Sequence, residues 1–226
     1  MRLPALVASL IGERLPWLRV SAPGAETPRL AWRWDELLEA QAAGADPTRP
    51  WREAHRASTA QQYATPTPPA MPAAFVLQWV LEVPATVGAY AAVLGPWAVD
   101  LSASSLSFEL APGQHHPCHV QFRGATRAEG DRDARLEAAQ MAYRAIATPF
   151  AARYSPGVRL GPHQRHSMVA DVWAIAVHRA RQSVLQPPTP AVPERDSCCF
   201  IYTLPGAHEC EGCPRLRRSP GARLSR

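Results

Sequence analysis

The sequence predicts an α+β protein, predominantly helical, with one β-hairpin and a small carboxy-terminal cysteine-rich module. Three observations carry this reading. Apolar residues recur at helical spacing over most of the 226-residue chain. Near residue 106 the period falls to two, in two short runs joined by a turn. Four of the five cysteines then crowd into residues 198–213, behind a proline-rich break. The length suits one large domain, or one domain plus a small module. An apolar fraction of 46% is enough for a core without staples, and 19% charged residues are too few for a wholly disordered chain.

The elements follow in order. Arg2 followed by LPALVASLIG could pass for the start of a signal peptide. Pro4 interrupts it, Glu13 and Arg14 end it, and no small-residue cleavage site follows, so a short amphipathic helix is expected. Leu30, Trp34, Leu37 and Leu38 predict a helix over 29–43 that stops before Gly44. Thr48 is placed to cap a further helix, with Pro50 in its first turn, running through 51–63. Residues 64–73 read as a proline-rich connector. Residues 73–97 are the most apolar stretch and long enough to span a bilayer, but Gln78, Glu82 and Pro84 sit in the middle. A buried helix, ended or kinked near Pro84 and followed by a second short helix, is expected there.

Leu106, Phe108 and Leu110 alternate with Ser105, Ser107 and Glu109, the pattern of a half-buried strand. After a turn at 111–117, Cys118, Val120 and Phe122 alternate with His119, Gln121 and Arg123, which completes a hairpin with a polar outer face. Asp131 or Asp133 can cap a helix running to about Phe150. Another spans 163–184, with Met168, Val172, Ile175 and Ala176 on its apolar face. Four prolines within 186–196 break it and mark a boundary. The domains expected are a helix-rich body, 1–190, and a module with a basic tail, 191–226.

The net charge of +5 is not spread over the chain. Residues 214–226 carry Arg215, Arg217, Arg218, Arg223 and Arg226 and no acid, which leaves nineteen basic and nineteen acidic residues elsewhere. The body is neutral, so no basic face for nucleic acid is expected on it. Lys and Asn are absent altogether, so the use of Arg here is compositional and does not argue for bidentate anion contacts.

The chemistry gathers in the cysteines. Cys198-Cys199, ten residues, then Cys210-x2-Cys213 can converge on one metal centre. Gly212 gives the second pair a tight knuckle. Adjacent side chains on a strand point to opposite faces, so Cys198 and Cys199 can both ligate only if the chain bends there or the site is large. Two irons, each taking two thiolates, suit that better than one tetrahedral zinc.

This CC-x10-C-x2-C pattern, followed by Pro214, resembles the FhuF family of siderophore ferric iron reductases. The resemblance implies a [2Fe–2S] cluster on Cys198, Cys199, Cys210 and Cys213, with no catalytic residue beyond these ligands and no identified substrate-binding residue. It implies a cytoplasmic iron–sulfur oxidoreductase for iron uptake, passing one electron to siderophore-bound Fe(III), of hydroxamate type, to release Fe(II). Hard oxygen ligands hold Fe(III) tightly and Fe(II) weakly, so one electron loosens the chelate. No GxGxxG fingerprint follows a strand, so the electrons are expected from a separate ferredoxin or flavoprotein. The cationic tail can steer an acidic donor or make a peripheral contact with an anionic membrane. Two alternatives of other classes are a [2Fe–2S] sensor or regulatory protein, and a zinc-stabilised binding module with a basic tail.

Around the cysteines, Arg195, Arg215, Arg217 and Arg218 are offset by Glu194, Asp196, Glu209 and Glu211, so no direction of potential shift is expected. His208, inside the cysteine loop, is expected at most to support a ligand. His115, His116, Cys118 and His119 read as a turn histidine pair beside a packed cysteine, and His119, Gln121 and Arg123 as a mostly solvated face. Trp32, Trp34, Trp79 and Trp173 read as core.

Overall fold

A computed structural model describes residues 2–24, 30–184, 191–210 and 212–217. The amino-terminal run forms helix α1 (Leu3–Gly12), which buries Val7 and Ile11. The chain turns at residues 13–18 into β1 (Arg19–Ser21). The helix expected over 29–43 begins later than its spacing implied. Trp32–Arg33 forms a short strand, β2, before helix α2 (Trp34–Ala42), which ends ahead of Gly44 in the left-handed region. Cross-strand packing decides this: Trp32 stands opposite Phe108 and stacks on its ring.

Helix α3 (Arg49–Gln62) starts at Thr48 with Pro50 in its first turn. The Thr48 side chain does not cap the helix; its hydroxyl donates to Asp46 and accepts from Arg52 Nη1 at 2.7 Å. Arg52 is buried and pairs with Asp46.

Helix α4 (Ala70–Leu94) corrects the expectation of two helices. It runs without interruption through Pro84, and it starts within the stretch read as a connector. Pro84 is buried in a helix packed by later elements, so tertiary contact offsets the lost backbone bond. By length and composition α4 could cross a membrane, but 72% of its most apolar window is buried inside the protein. It is the core helix, apolar on nearly every side.

Strand β3 (Trp97–Val99) and a 3₁₀ turn at Ala103–Ser105 lead into β4 (Leu106–Leu110) and β5 (Pro117–Phe122). These pair antiparallel, as the expected hairpin. The hairpin does not stand alone. β1 adds parallel to β5 and β2 antiparallel to β4, giving the order β1-β5-β4-β2. Strand β6 (Ala125–Arg127) pairs with β3. The expected polar outer face is therefore covered: His119 and Gln121 are buried, and His119 Nε2 lies 2.8 Å from Ser21 Oγ, while Arg123 is exposed.

Helix α5 (Arg132–Arg153) is capped by Asp131, whose carboxylate accepts from the Ala134 N–H at 2.9 Å. Helix α6 (Pro162–Gln182) follows, and α4, α5 and α6 pack mutually as the main helical layer. The carboxy-terminal segment adds a 3₁₀ turn at Ile201–Thr203 and one turn of helix, α7 (Pro214–Arg217). Part of the proline-rich boundary, 185–190, and Glu211, Arg218, Arg223 and Arg226 of the cysteine segment and tail lie outside the described residues.

One buried titratable group makes the fold acid-sensitive. His55 on α3 lies against Phe75 and Trp79, and its Nε2 has no hydrogen-bond partner among the described residues. Burial lowers its pKa from 6.5 to about 4. Below pH 6.5 the unfolded chain takes up a proton that the folded chain refuses until about 4, so stability is full above this window and is lost as pH falls through it. The loss is expected to approach roughly 3 kcal/mol. Urea unfolding at pH 7.5 and at 4.5 would measure it, and His55→Phe should flatten the difference.

Candidate metal centre

The cysteine segment is seated on α6 by two polar side chains seven residues apart, hence on one helix face. Asp171 is 6% exposed, and its carboxylate accepts from the Ser197 N–H at 2.7 Å and from the Asp196 N–H at 3.1 and 3.2 Å. Gln164 pairs reciprocally with Cys198: its amide donates to the Cys198 carbonyl, and the Cys198 N–H donates to Oε1 at 3.1 Å. Together these bonds fix the backbone of 196–198 before the first thiol is reached.

The chain then bends where Cys198-Cys199 requires it. Phe200 takes a left-handed conformation, φ 62, and the 3₁₀ turn follows directly. The Phe200 N–H donates to Cys198 Sγ at 3.4 Å, and the Ile201 backbone bonds to Cys199. The second knuckle is closed by the Cys213 N–H donating to the Cys210 carbonyl at 3.0 Å. Gly212 sits at φ +72, and a Cβ there would lie 2.5 Å from the Pro193 carbonyl oxygen. The Arg195 N–H donates to the Gly212 carbonyl at 2.9 Å, which ties the knuckle to the start of the segment.

These two bends bring the thiols together. Cys199 and Cys210 have their sulfurs 3.5 Å apart. Tetrahedral metal–sulfur bonds of about 2.3 Å would set two sulfurs about 3.8 Å apart, so this pair has the bite of one metal ion. Cys210 also bonds Cys213, and Cys198 feels the charges of Cys213 and Cys210. Cys199 and Cys213 are buried, and Cys198 and Cys210 are half-buried. Among the described residues, no three His, Cys, Asp or Glu side chains gather closely enough to hold one ion. The arrangement is a close pair, Cys199 and Cys210, with the Cys198 and Cys213 thiols beside it.

One thiol is shifted toward the thiolate and two away from it. The hydrogen bond from Cys210 lowers the Cys199 pKa to about 7, with Arg195 adding to the effect, while the proton kept between them raises that of Cys210. Burial raises that of Cys198.

Among the described residues the flanking charges differ in burial. Arg195 is 5% exposed, with Nη1 at 3.8 Å from Cys210 Sγ. Glu194, Asp196 and Glu209 are exposed to screening water. Arg215 pairs with Glu209 at 3.6 Å and lies over the Tyr202 ring. The described charge in contact with a cysteine is thus positive. His208 is exposed. His115 holds a left-handed turn and accepts from Trp51 Nε1 through its carbonyl, and Cys118 stands apart on β5. The sequence reading missed Gln164 and Asp171. Asp171 leaves a trace, one acid among the buried residues Met168, Val169, Val172 and Trp173 of α6.

Two substitutions test this seating. Gly212→Ala meets both a left-handed backbone and a backbone oxygen, and is expected to cost the segment about 2 kcal/mol or more. Asp171→Ala strands the buried Ser197 N–H and frees the part-buried Asp196 N–H, at about 1–3 kcal/mol. Hydrogen exchange should show lost protection over 195–213 with α4 and α5 unchanged; protection lost equally throughout would show that the seam is not local.

Residues 195–215 match the family model described as the FhuF 2Fe-2S C-terminal domain. No curated protein matches the chain significantly. The matched span starts at the buried Arg195, contains Cys198, Cys199, Cys210 and Cys213, and ends at Arg215. The segment points to a [2Fe–2S] cluster, and through it the chain is consistent with an FhuF-like family of iron–sulfur proteins.

Proposed function

We propose that the protein is a cytoplasmic ferric-siderophore reductase, and that the FhuF-type match over the four cysteines of 198–213 is the observation that carries this reading. Cys198, Cys199, Cys210 and Cys213 would hold the [2Fe–2S] group, with residues 191–226 acting as a redox module on the body 1–190. When bound, that group supplies electrons one at a time. The chain's own residues do the rest. Phe200 and Ile201 aim backbone N–H groups at sulfur, and the Arg195 guanidinium favours negative charge there. The substrate's Fe(III) gains one electron and leaves its oxygen ligands as Fe(II). The electron enters from a separate ferredoxin or flavoprotein. The arginine tail would give an acidic donor or a membrane surface a peripheral contact.

The as-purified protein is expected to be coloured, with two irons and two sulfides per chain. Dithionite-reduced protein should be reoxidised by a ferric trihydroxamate. Ser at any of the four cysteines should abolish the chromophore, and Cys118→Ser should leave it. A colourless protein with one zinc would overturn the reading; a cluster that no ferric chelate oxidises would make the protein a sensor instead.

Arg195 gives a quantitative test. At an effective dielectric near 20, a unit charge about 6 Å away contributes about 3 kcal/mol, on the order of 100 mV per electron. Arg195→Gln should lower the midpoint potential by up to that amount, and Arg195→Lys by less, in protein-film voltammetry.

A further inference from the structure

A cleft of about 580 Å³ opens where α4, β5, α6 and the turn between α1 and β1 meet. Trp79 of α4, whose ring packs on Trp51, His55 and Phe75, and Trp17 of that turn line it. Trp17 is 46% exposed, an unusual state for so large an apolar side chain. The polar side of the cleft is Gln78, Glu82, Thr86, His116 and Arg179. Gln78 Nε2 donates to Glu82 Oε1 at 3.0 Å, and Arg179 Nη1 stands 3.8 Å from the same oxygen.

Gln78 faces two ways. Its Oε1 accepts from Arg195 Nη2 at 3.0 Å, and Arg195 Nη1 reaches Cys210 Sγ at 3.8 Å. The cleft wall is therefore joined to the cysteine centre through one buried guanidinium, with no intervening element.

We infer that this cleft binds the ferric chelate, an assignment that rests on the reductase reading, and that Gln78 and Arg195 form the partition between chelate and cysteines. The volume is that of a site for a compact organic ligand. The aromatic walls suit the methylene arms of such a chelate. Glu82 and Arg179 offset each other, so with the His116 imidazole neutral the lining carries no net charge and favours a neutral complex; a trianionic one would meet the Glu82 carboxylate. The redox balance is simple. The chelated Fe(III) takes one electron from the reduced [2Fe–2S] group and becomes Fe(II). A one-electron donor protein restores the reduced state, and no bond to the protein forms or breaks.

The test uses the full-length holoprotein and a gallium(III) trihydroxamate, which matches the ferric complex in charge and shape but accepts no electron. Saturable quenching of tryptophan fluorescence is expected. Trp17→Ala should weaken binding about tenfold or more, and Trp17→Phe much less, with the visible spectrum unchanged in both. A trianionic gallium tricatecholate should bind about tenfold more weakly than the neutral complex. Unchanged binding in both Trp17→Ala and Arg179→Ala would overturn the site, as would absent binding in a protein that still reduces ferric trihydroxamate; the reductase reading would survive either result. Tighter binding of the tricatecholate would overturn the charge argument. A protein that neither binds nor reduces any chelate would sink both proposals together.

Discussion

The cysteine centre depends on a buried carboxylate. Asp171 sits on the inward face of α6 and takes its hydrogen bonds from the backbone of residues 196 and 197. A carboxylate removed from water must be satisfied, and backbone N–H groups removed from water must be satisfied too. Each meets the other's need at one place only, so the segment has a single register on the helix. Gln164 repeats the arrangement at Cys198, two turns away. Without these bonds the segment has little to hold it, because few of its apolar side chains, chiefly Phe200 and Leu204, reach inward. Ordering each residue costs about 1–2 kcal/mol of backbone entropy, which so small an apolar contribution does not offset.

Helix α4 serves two ends at once. Most of its surface is core, which is why it is apolar enough to resemble a membrane span. One stripe, Gln78 and Glu82 at i and i+4, breaks that pattern and turns toward the cleft and Arg195. The body and the cysteine segment thereby share a polar seam rather than only an apolar one. Such seams fix geometry more narrowly than apolar contact does, because hydrogen bonds are directional.

The helical body was largely legible in the sequence, since burial of one face leaves a period that composition cannot hide. The hairpin was legible for the same reason. What escaped was pairing between distant segments. β1 and β2 are too short to show a period, and they exist because β5 and β4 offer free edges to them. That pairing turned His119 and Gln121 from a supposed outer face into buried groups. Pro84 misled in the opposite sense, because the rule that proline ends helices is local and the packing around α4 is not.

The sequence by itself determined which four thiols carry the FhuF-type pattern. Cysteine spacing is a covalent fact, and Gly212 is the residue that the tight knuckle demands. It also determined that the excess positive charge lies behind the last cysteine and not on the body. Only the tertiary structure decided that Arg195 is the described charge that touches a cysteine, that Gln164 and Asp171 hold the segment, and that a cleft with Trp17 and Trp79 lies on the far side of Gln78. The physical reason is that charge and polarity act by distance and burial. Residues 117 positions apart in the chain, Gln78 and Arg195, become neighbours only when the helices have packed.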